Sequence, residues 1–388
     1  MLKTATITWN SYYNYGTCLQ AYALQHYIES LGYENRIIDD SSIVYPPLSP
    51  QKGSSKKEKW KMRVRKLWQS LHANYRTYYK YQRILCPAVN RFKKETLKTD
   101  YNINSVLQDK SDYDAYICGS DQIWTPRSLA DSRNTFFYAA FTQEPKIAYA
   151  PSIGSYQIPE KWKKQMGELI APFSALSVRE EAGKDALQEL TNLPVELVSD
   201  PTLLLSQQEW ESVLPNKQKK EEEYVLGYIL TPNDTYYKIA RDYAHQHEKK
   251  FYLFMLNLQD YGQADKLISG GPWEFLEYVK NATTVFTDSY HCTIFSMIFE
   301  TPFYTLKRFT DDSPINQNSR IDSLLRRMGA EARLIDCQQE KPLNEDTLDF
   351  AEMKHRMKPL IEYSKKYLQY HLSVIAKGKN NARNLFKR

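Results

Sequence analysis

Residues 283–306 hold the feature that most narrows what this chain can fold into. Five β-branched or aromatic residues, Thr283 to Thr287, lead into a polar corner of Asp288, Ser289, Tyr290 and His291. A dense apolar run reaches Phe299, and a second β-rich run ends at Leu306. The first five suit a buried strand, and Ile294, Phe295, Ile298 and Phe299 recur at helical spacing, so the stretch predicts strand, corner, helix, strand. In a parallel α/β sheet such a corner overhangs the crevice where ligands bind, beside a helix N-terminus that attracts anions.

The same pattern recurs. Residues 4–9 alternate and are β-rich, residues 10–16 are polar, and Leu19, Ala23, Leu24, Tyr27, Ile28 and Leu31 follow helical periodicity to a stop at Gly32. Further strands are expected at 36–39, 115–118, 146–150, 175–178, 195–198, 224–230 and 251–256. Several end in polar corners: Gly119, Ser120, Asp121 and Gln122; Pro151, Ser152 and Gly154; Arg179; Ser199, Asp200 and Pro201. That regularity favours one ligand-bearing edge.

A chain of 388 residues exceeds one ordinary core, so two domains are expected. The predicted organisation is an N-terminal α/β domain over 1–206, with a basic amphipathic insertion at about 46–95. A polar linker over 207–223, a second α/β domain over 224–345, and a helix with a basic tail over 346–388 follow. The fold class is α/β, two Rossmann-like doubly wound domains facing a cleft.

The net charge of +6 is unevenly placed. Residues 52–94 hold 14 basic residues against the single acid Glu58, and residues 365–388 hold 7 basic residues and no acid. The remainder has 31 basic and 45 acidic residues, an acidic body with localised positive charge. Within the insertion Trp60, Val64, Leu67, Trp68 and Leu71 share one helical face, with Lys57, Lys61, Arg63, Arg65 and Lys66 elsewhere. Such a helix can lie in an anionic membrane interface or pack on the domain with its basic face solvated. No nucleic-acid motif accompanies the charge, and nucleic acid is not an expected partner. The start, Met1 to Trp9, carries no signal-peptide hydrophobic region, and no apolar run approaches a membrane span. The expectation is a cytoplasmic protein, peripheral on the inner face of the cell membrane if the insertion and tail dock there. The five cysteines have no metal or redox spacing, and no metal is expected.

Taken together, the corners resemble the polysaccharide pyruvyl transferase family. The resemblance rests on Asn14, Tyr15 and Gly16 with Leu19 to Gln25; Gly119 to Gln122 with Trp124; and Tyr149 and Ala150 with Ser152 and Gly154. It continues through Ser177 to Glu180, Ser199 to Thr202 with Leu204, Asp288 and Ser289 with His291, and Ser319 to Ile321 with Leu324 and Leu325. Seven segments in consistent order, from about residue 5 to about 335, are specific together. Cys292 stands where the family commonly has Gly, which puts a close backbone approach there in doubt, and Pro151 interrupts the usual small-residue run.

The resemblance implies a GT-B-like fold and transfer of the pyruvyl skeleton of phosphoenolpyruvate, a co-substrate, onto two hydroxyls of a lipid-linked saccharide acceptor, with phosphate released. No cofactor is implied. Phosphoenolpyruvate carries a phosphate and a carboxylate, so its site needs convergent cations. Arg179, and Arg320 at a helix start in the second domain, are the candidates. Histidine titrates near neutrality and suits proton delivery, which makes His291 the candidate acid, with Asp288 or Asp121 orienting it or accepting a hydroxyl proton. Asn14, Tyr15, Gly16, Ser120, Gln122, Ser152 and Ser289 are candidate substrate contacts by their position at strand ends.

Each residue also has an ordinary reading. His291 by itself also reads as a capped, structural histidine, Arg179 as an ion-pair partner of Glu180 or Glu181, Arg320 as a surface cation near Asp322, and Asp200 as a turn former before Pro201. Tyr12, Tyr13 and Tyr15 can stack on a sugar or pack at the domain face. Two other functions stay open at this stage: a glycosyltransferase of the same fold using a nucleotide-sugar, and a non-catalytic protein that binds membranes or polyanions through residues 52–94.

Overall fold

Parallel strands buried on both faces need near-continuous apolar or β-branched runs, and the central strands supply them. The computed structural model describes residues 2–44, 72–108, 112–215, 222–310, 313, 316–336, 338 and 342–385. The first sheet comprises β1 (Lys3–Ile7), β2 (Glu34–Ile38), β3 (Thr99–Asp100), β4 (Ala115–Cys118) and β5 (Lys146–Ala148), all parallel, in the order 3-2-1-4-5. Two further parallel strands, β6 (Leu176–Val178) and β7 (Val195–Leu197), extend it through a bridge between Ile147 and Ala175. The second sheet comprises β8 (Tyr224–Tyr228), β9 (Lys250–Phe254), β10 (Lys266–Ile268), β11 (Thr284–Thr287), β12 (Phe303–Leu306) and β13 (Leu334–Ile335), also all parallel. Its order is 10-9-8-11-12-13.

Both sheets reverse direction beside their first strand, between β1 and β4 and between β8 and β11. Ligands of doubly wound sheets bind past the C-terminal ends of strands at such switch points. The residues there are 8–16 and 119–122 in one domain and 229–233 and 288–291 in the other. The two doubly wound domains expected from the sequence are therefore the architecture adopted, and the topology brings the four polar corners to the two ligand-bearing edges.

Tyr15 is one of the side chains that join the domains at these edges. Tyr15, the first residue of helix Tyr15–Ser30, is 1% exposed and stacks on Tyr228 at 5.7 Å and Phe275 at 5.0 Å, both in the second domain. Its hydroxyl donates to the Gly270 carbonyl at 3.0 Å. Helix Phe350–Leu385 also serves both domains. Met353 and Met357 join the core that the second domain shares with helix Tyr15–Ser30, whereas Tyr367, Leu368 and Leu372 pack with Leu2, Leu24 and Ile28 of the first domain.

Helix Ala73–Thr96 is the described part of the basic insertion. It buries Leu85, Val89 and Phe92, its Tyr81 hydroxyl donates to the Leu267 carbonyl at 2.8 Å, and Phe92 meets Trp273 edge-on at 4.8 Å. This part is a packed helix with basic residues on its outer face. The expected amphipathic face of Trp60, Val64, Leu67, Trp68 and Leu71 lies outside the described residues. Residues 207–223, expected as a linker, contain helix Gln207–Ser212, capped by Ser206 and Glu209 with Trp210 fully buried. Among the described residues no helix is long and apolar enough to cross a membrane.

Removing the Tyr15 ring should expose the contact between domains. Tyr15→Ala is expected to cost about 3–5 kcal/mol in urea unfolding; a loss below about 1 kcal/mol would mean that the ring does not join the domains.

Candidate active site

Strand β6 runs into Arg179 at its C-terminal end, and the turn that follows aims the side chain at the cleft instead of at solvent. The guanidinium is fully buried. Its Nη1 donates to Asp200 Oδ2 at 2.7 Å, and its Nη2 lies 3.4 Å from Asp121 Oδ1. Its carbon sits 4.5 Å from the centre of the Tyr290 ring, a cation–π contact with the facing domain. Burial works against the charge of Arg179, and Asp200, with Tyr290 and Asp121, outweighs it, so its pKa is raised. Burial likewise opposes charge on the two carboxylates. His291 and Arg179 reverse this at Asp200, and Arg179 and His291 do so at Asp121, so both aspartates lie below the usual range.

His291 enters from the second domain in the first turn of helix Tyr290–Ile298, which Ser289 caps through the Cys292 amide at 3.4 Å. Its Nε2 lies 3.4 Å from Asp200 Oδ2, the oxygen that Arg179 also holds. Gly16, on the other domain's helix, packs directly on the imidazole. A Cβ added there would stand 2.4 Å from Nδ1, so the close approach needs glycine. The family's usual glycine after the histidine is Cys292 here, fully buried in the apolar core.

Arg320 completes the cationic side. It lies in the first turn of helix Ser319–Met328, 5.8 Å from the Tyr290 ring centre, so that ring faces two guanidinium groups. Unlike Arg179, it forms no ion pair among the described residues, and its buried Nε has no hydrogen-bond partner. Burial, reinforced by the nearby charges of Arg179 and Arg308, pulls its pKa down to about 9. Asp121 and Glu180 offset part of this without forming an ion pair with it.

The structure thus brings Arg179, His291, Asp121, Gly16 and Arg320 together, with Ser120 beside them. The Ser120 hydroxyl donates to Ala150 O at 3.1 Å and lies 3.4 Å from Asp200 Oδ2. Other candidates have different work. Asp288 does not orient His291: it accepts from the Leu230 amide at 2.6 Å, the Thr231 amide at 2.9 Å and Arg308 Nε at 3.1 Å, fastening the end of β8 to β11. The carboxylate beside the imidazole is Asp200. Tyr15 is used between the domains, Asn14 caps its helix through the Thr17 amide at 3.1 Å, and Ser289 is likewise a cap. Ser152 donates to Glu180 at 2.9 Å, and Gln122 packs beside Gly154.

Asp200 does shape the turn before Pro201, through the Thr202 amide at 3.0 Å, but it also holds Arg179. The expected partners of Arg179 are occupied elsewhere. Glu180 accepts from the Ser152 hydroxyl and the amides of Ile153 and Gly154, and Glu181 pairs with Arg327 across the domains. Sequence reasoning missed Arg308 and Tyr290. Arg308 carried a readable signal, a cation two residues past the end of β12 on the same sheet edge.

Fold and cleft together define a two-domain, doubly wound α/β protein whose interdomain cleft is lined by buried cations. The chain belongs to the polysaccharide pyruvyl transferase family, whose sequence pattern it matches over residues 14–308. It is accordingly a member of a transferase family of polysaccharide biosynthesis. No curated protein matches it. Among solved structures it is similar to UDP-GlcNAc 2-epimerase from Neisseria meningitidis bound to UDP-GlcNAc, with TM-score 0.49, 11% identity and full coverage of both chains. An S. aureus MnaA–UDP co-structure gives TM-score 0.48 and 13% identity, covering 95% of this chain and 90% of that one. The E. coli heptosyltransferase WaaC with ADP gives TM-score 0.40 and 12% identity, covering 92% and 100%.

Replacing Arg179 leaves two buried carboxylates without their cation. Arg179→Met should cost about 3–5 kcal/mol at pH 7. Depressed aspartates stabilise the fold above their unfolded pKa of about 3.9 and lose that contribution as pH falls toward their folded values. The gap between wild type and variant in urea unfolding should therefore narrow below about pH 4; a gap independent of pH would contradict the ion-pair account.

Proposed function

We propose that this chain transfers the pyruvyl skeleton of phosphoenolpyruvate onto two hydroxyls of one sugar, forming a cyclic ketal and releasing phosphate. The observation that carries this reading is Arg320, a buried guanidinium without an ion pair among the described residues, beside Arg179 and Arg308, in a cleft that also holds a histidine. A small ligand with a phosphate and a carboxylate would supply the missing negative charge, and charge-assisted hydrogen bonds to a guanidinium suit both groups.

In this reading His291 gives a proton to the vinyl methylene carbon, which becomes the methyl group, and positive charge develops at the neighbouring carbon. The first sugar hydroxyl bonds to that carbon and loses its proton. The carbon–oxygen bond to phosphate then breaks, the second hydroxyl takes the vacated position, and its proton leaves in turn. Of the two protons released, one balances the proton added to carbon and one goes to the departing phosphate. Asp200 stands beside the imidazole, its Oδ2 3.4 Å from Nε2, and positions it. Asp121, already held by Arg179 and by the Thr17 hydroxyl at 2.8 Å, positions the arginine.

The acceptor in this proposal is a lipid-linked saccharide of polysaccharide or cell-wall assembly, processed at the cytoplasmic membrane face. The basic residues of 52–94 would contribute attraction to an anionic surface there.

The test is phosphate release from phosphoenolpyruvate in the presence and absence of lipid-linked saccharides, with mass spectrometry of the saccharide. Release should require acceptor and should accompany the mass of a pyruvate ketal. His291→Ala should lower turnover by about 10²–10⁴-fold with its circular dichroism unchanged. Full activity in that variant would remove the histidine from the mechanism.

A further inference from the structure

A second cavity lies on the same edge of the first domain. Its volume is about 590 Å³, within the span of small-molecule sites. It opens past the ends of β1, β2 and β3, and the outer face of helix Ala73–Thr96 closes one side. Tyr13 and Tyr101 line it and are exposed, at 43% and 68%. Around them stand Ser11, Asp39, Asn90 and Lys93. Each is held in place: the Asn90 amide donates to the Tyr13 hydroxyl at 3.3 Å, and Lys93 donates to the Tyr12 carbonyl at 3.0 Å and lies 5.2 Å from the Tyr13 ring centre. Asp39 accepts from the Ser41 hydroxyl, and the Ser11 amide donates to Asp40 at 2.8 Å.

We infer that this cavity is the binding site for the saccharide acceptor, with Tyr13 and Tyr101 as stacking faces. A pyranose has an apolar C–H face and a rim of hydroxyls that both donate and accept. Two exposed rings answer the first, and a carboxylate, an amide and an ammonium answer the second. One acid and one base among these six residues make a poor receptor for a polyanion, in contrast to the arginine cleft.

The cavity also leads toward the chemistry. Tyr13 precedes Gly16 by three residues, at most about 11 Å along an extended chain, and Gly16 rests on His291. A saccharide seated on Tyr13 would run along residues 13–16 to present its hydroxyls at the histidine. The inference rests on the pyruvyl-transfer reading for its name as an acceptor site, whereas binding itself can be read separately.

The experiment is saturation-transfer NMR of full-length protein with the methyl glycosides of glucose, galactose, mannose, N-acetylglucosamine and N-acetylmannosamine. Phosphoenolpyruvate binding is followed in parallel by calorimetry. Wild type should transfer saturation to at least one glycoside, and Tyr13→Ala/Tyr101→Ala should weaken that binding about ten-fold or more while phosphoenolpyruvate still binds. Because Tyr101 is two-thirds exposed, Tyr101→Ala alone serves as a variant that keeps the fold and should lose part of the signal. No transfer to any glycoside in wild type, or equal transfer in the double variant, overturns the inference. Glycoside binding without phosphoenolpyruvate binding would instead retain the saccharide site and overturn the transfer reading.

Discussion

Arg179, Asp121, Asp200 and His291 form a largely buried polar knot, and the geometry of the cleft follows from it. Two carboxylates could not stay ionised at this depth without the guanidinium, and the guanidinium could not stay there without them. Such an arrangement yields little net stability against an apolar alternative. It does fix orientation: Asp200 takes Arg179 from its own domain and His291 from the other, so one carboxylate oxygen sets where the two halves of the site meet. Tyr15 supplies the apolar counterpart a short distance along the same helix that carries Gly16.

Charge in the cleft is divided between satisfied and unsatisfied groups. Arg179 has two carboxylates and an aromatic face, and Arg308 has Asp288. Arg320 has the Tyr290 ring on one side and the opposing fields of Arg179 and Arg308 and of Asp121 and Glu180 around it, without an ion pair of its own among the described residues. Proteins bury an unpaired cation at a cost of several kcal/mol, and functional sites are where such costs recur. In the proposed reading, Arg320, past the end of one sheet and near Arg179 at the end of the other, is the receptor for a group arriving from solvent.

Much of this was legible in the sequence because a parallel strand must be apolar along its length, so the residue that breaks the run marks the functional edge. Arg179, Asp121, Asp200 and His291 all stand at such breaks. The pairing among them was not legible. Arg179 meets Asp200 across 21 residues and Asp121 across 58, and only the order of strands in the sheet makes them neighbours. Nearby Glu180 and Glu181 were the obvious partners, yet each turns to a different element. Asp288 illustrates the reverse: adjacent to the histidine's corner in sequence, it points back to the amides that follow β8. Short edge strands such as β3, β10 and β13, of two or three residues, carry too little periodicity to be seen. Tyr13 and Tyr15 are two residues apart with similar prior claims on a sugar, but Tyr13 lies before the Asn14 cap and faces solvent, whereas Tyr15 opens the helix and turns into the facing domain.

The central claim is that Arg320 is held charged and unpaired in order to receive an anionic ligand, and one variant separates this from a structural role. Arg320→Met keeps the stem and removes the charge, and its urea unfolding and its phosphoenolpyruvate affinity by calorimetry can be measured on the same sample. The account predicts stability equal to or above wild type, since no ion pair is lost, together with at least about a ten-fold loss of affinity. Unchanged affinity, or a stability loss of about 3 kcal/mol or more, would contradict it.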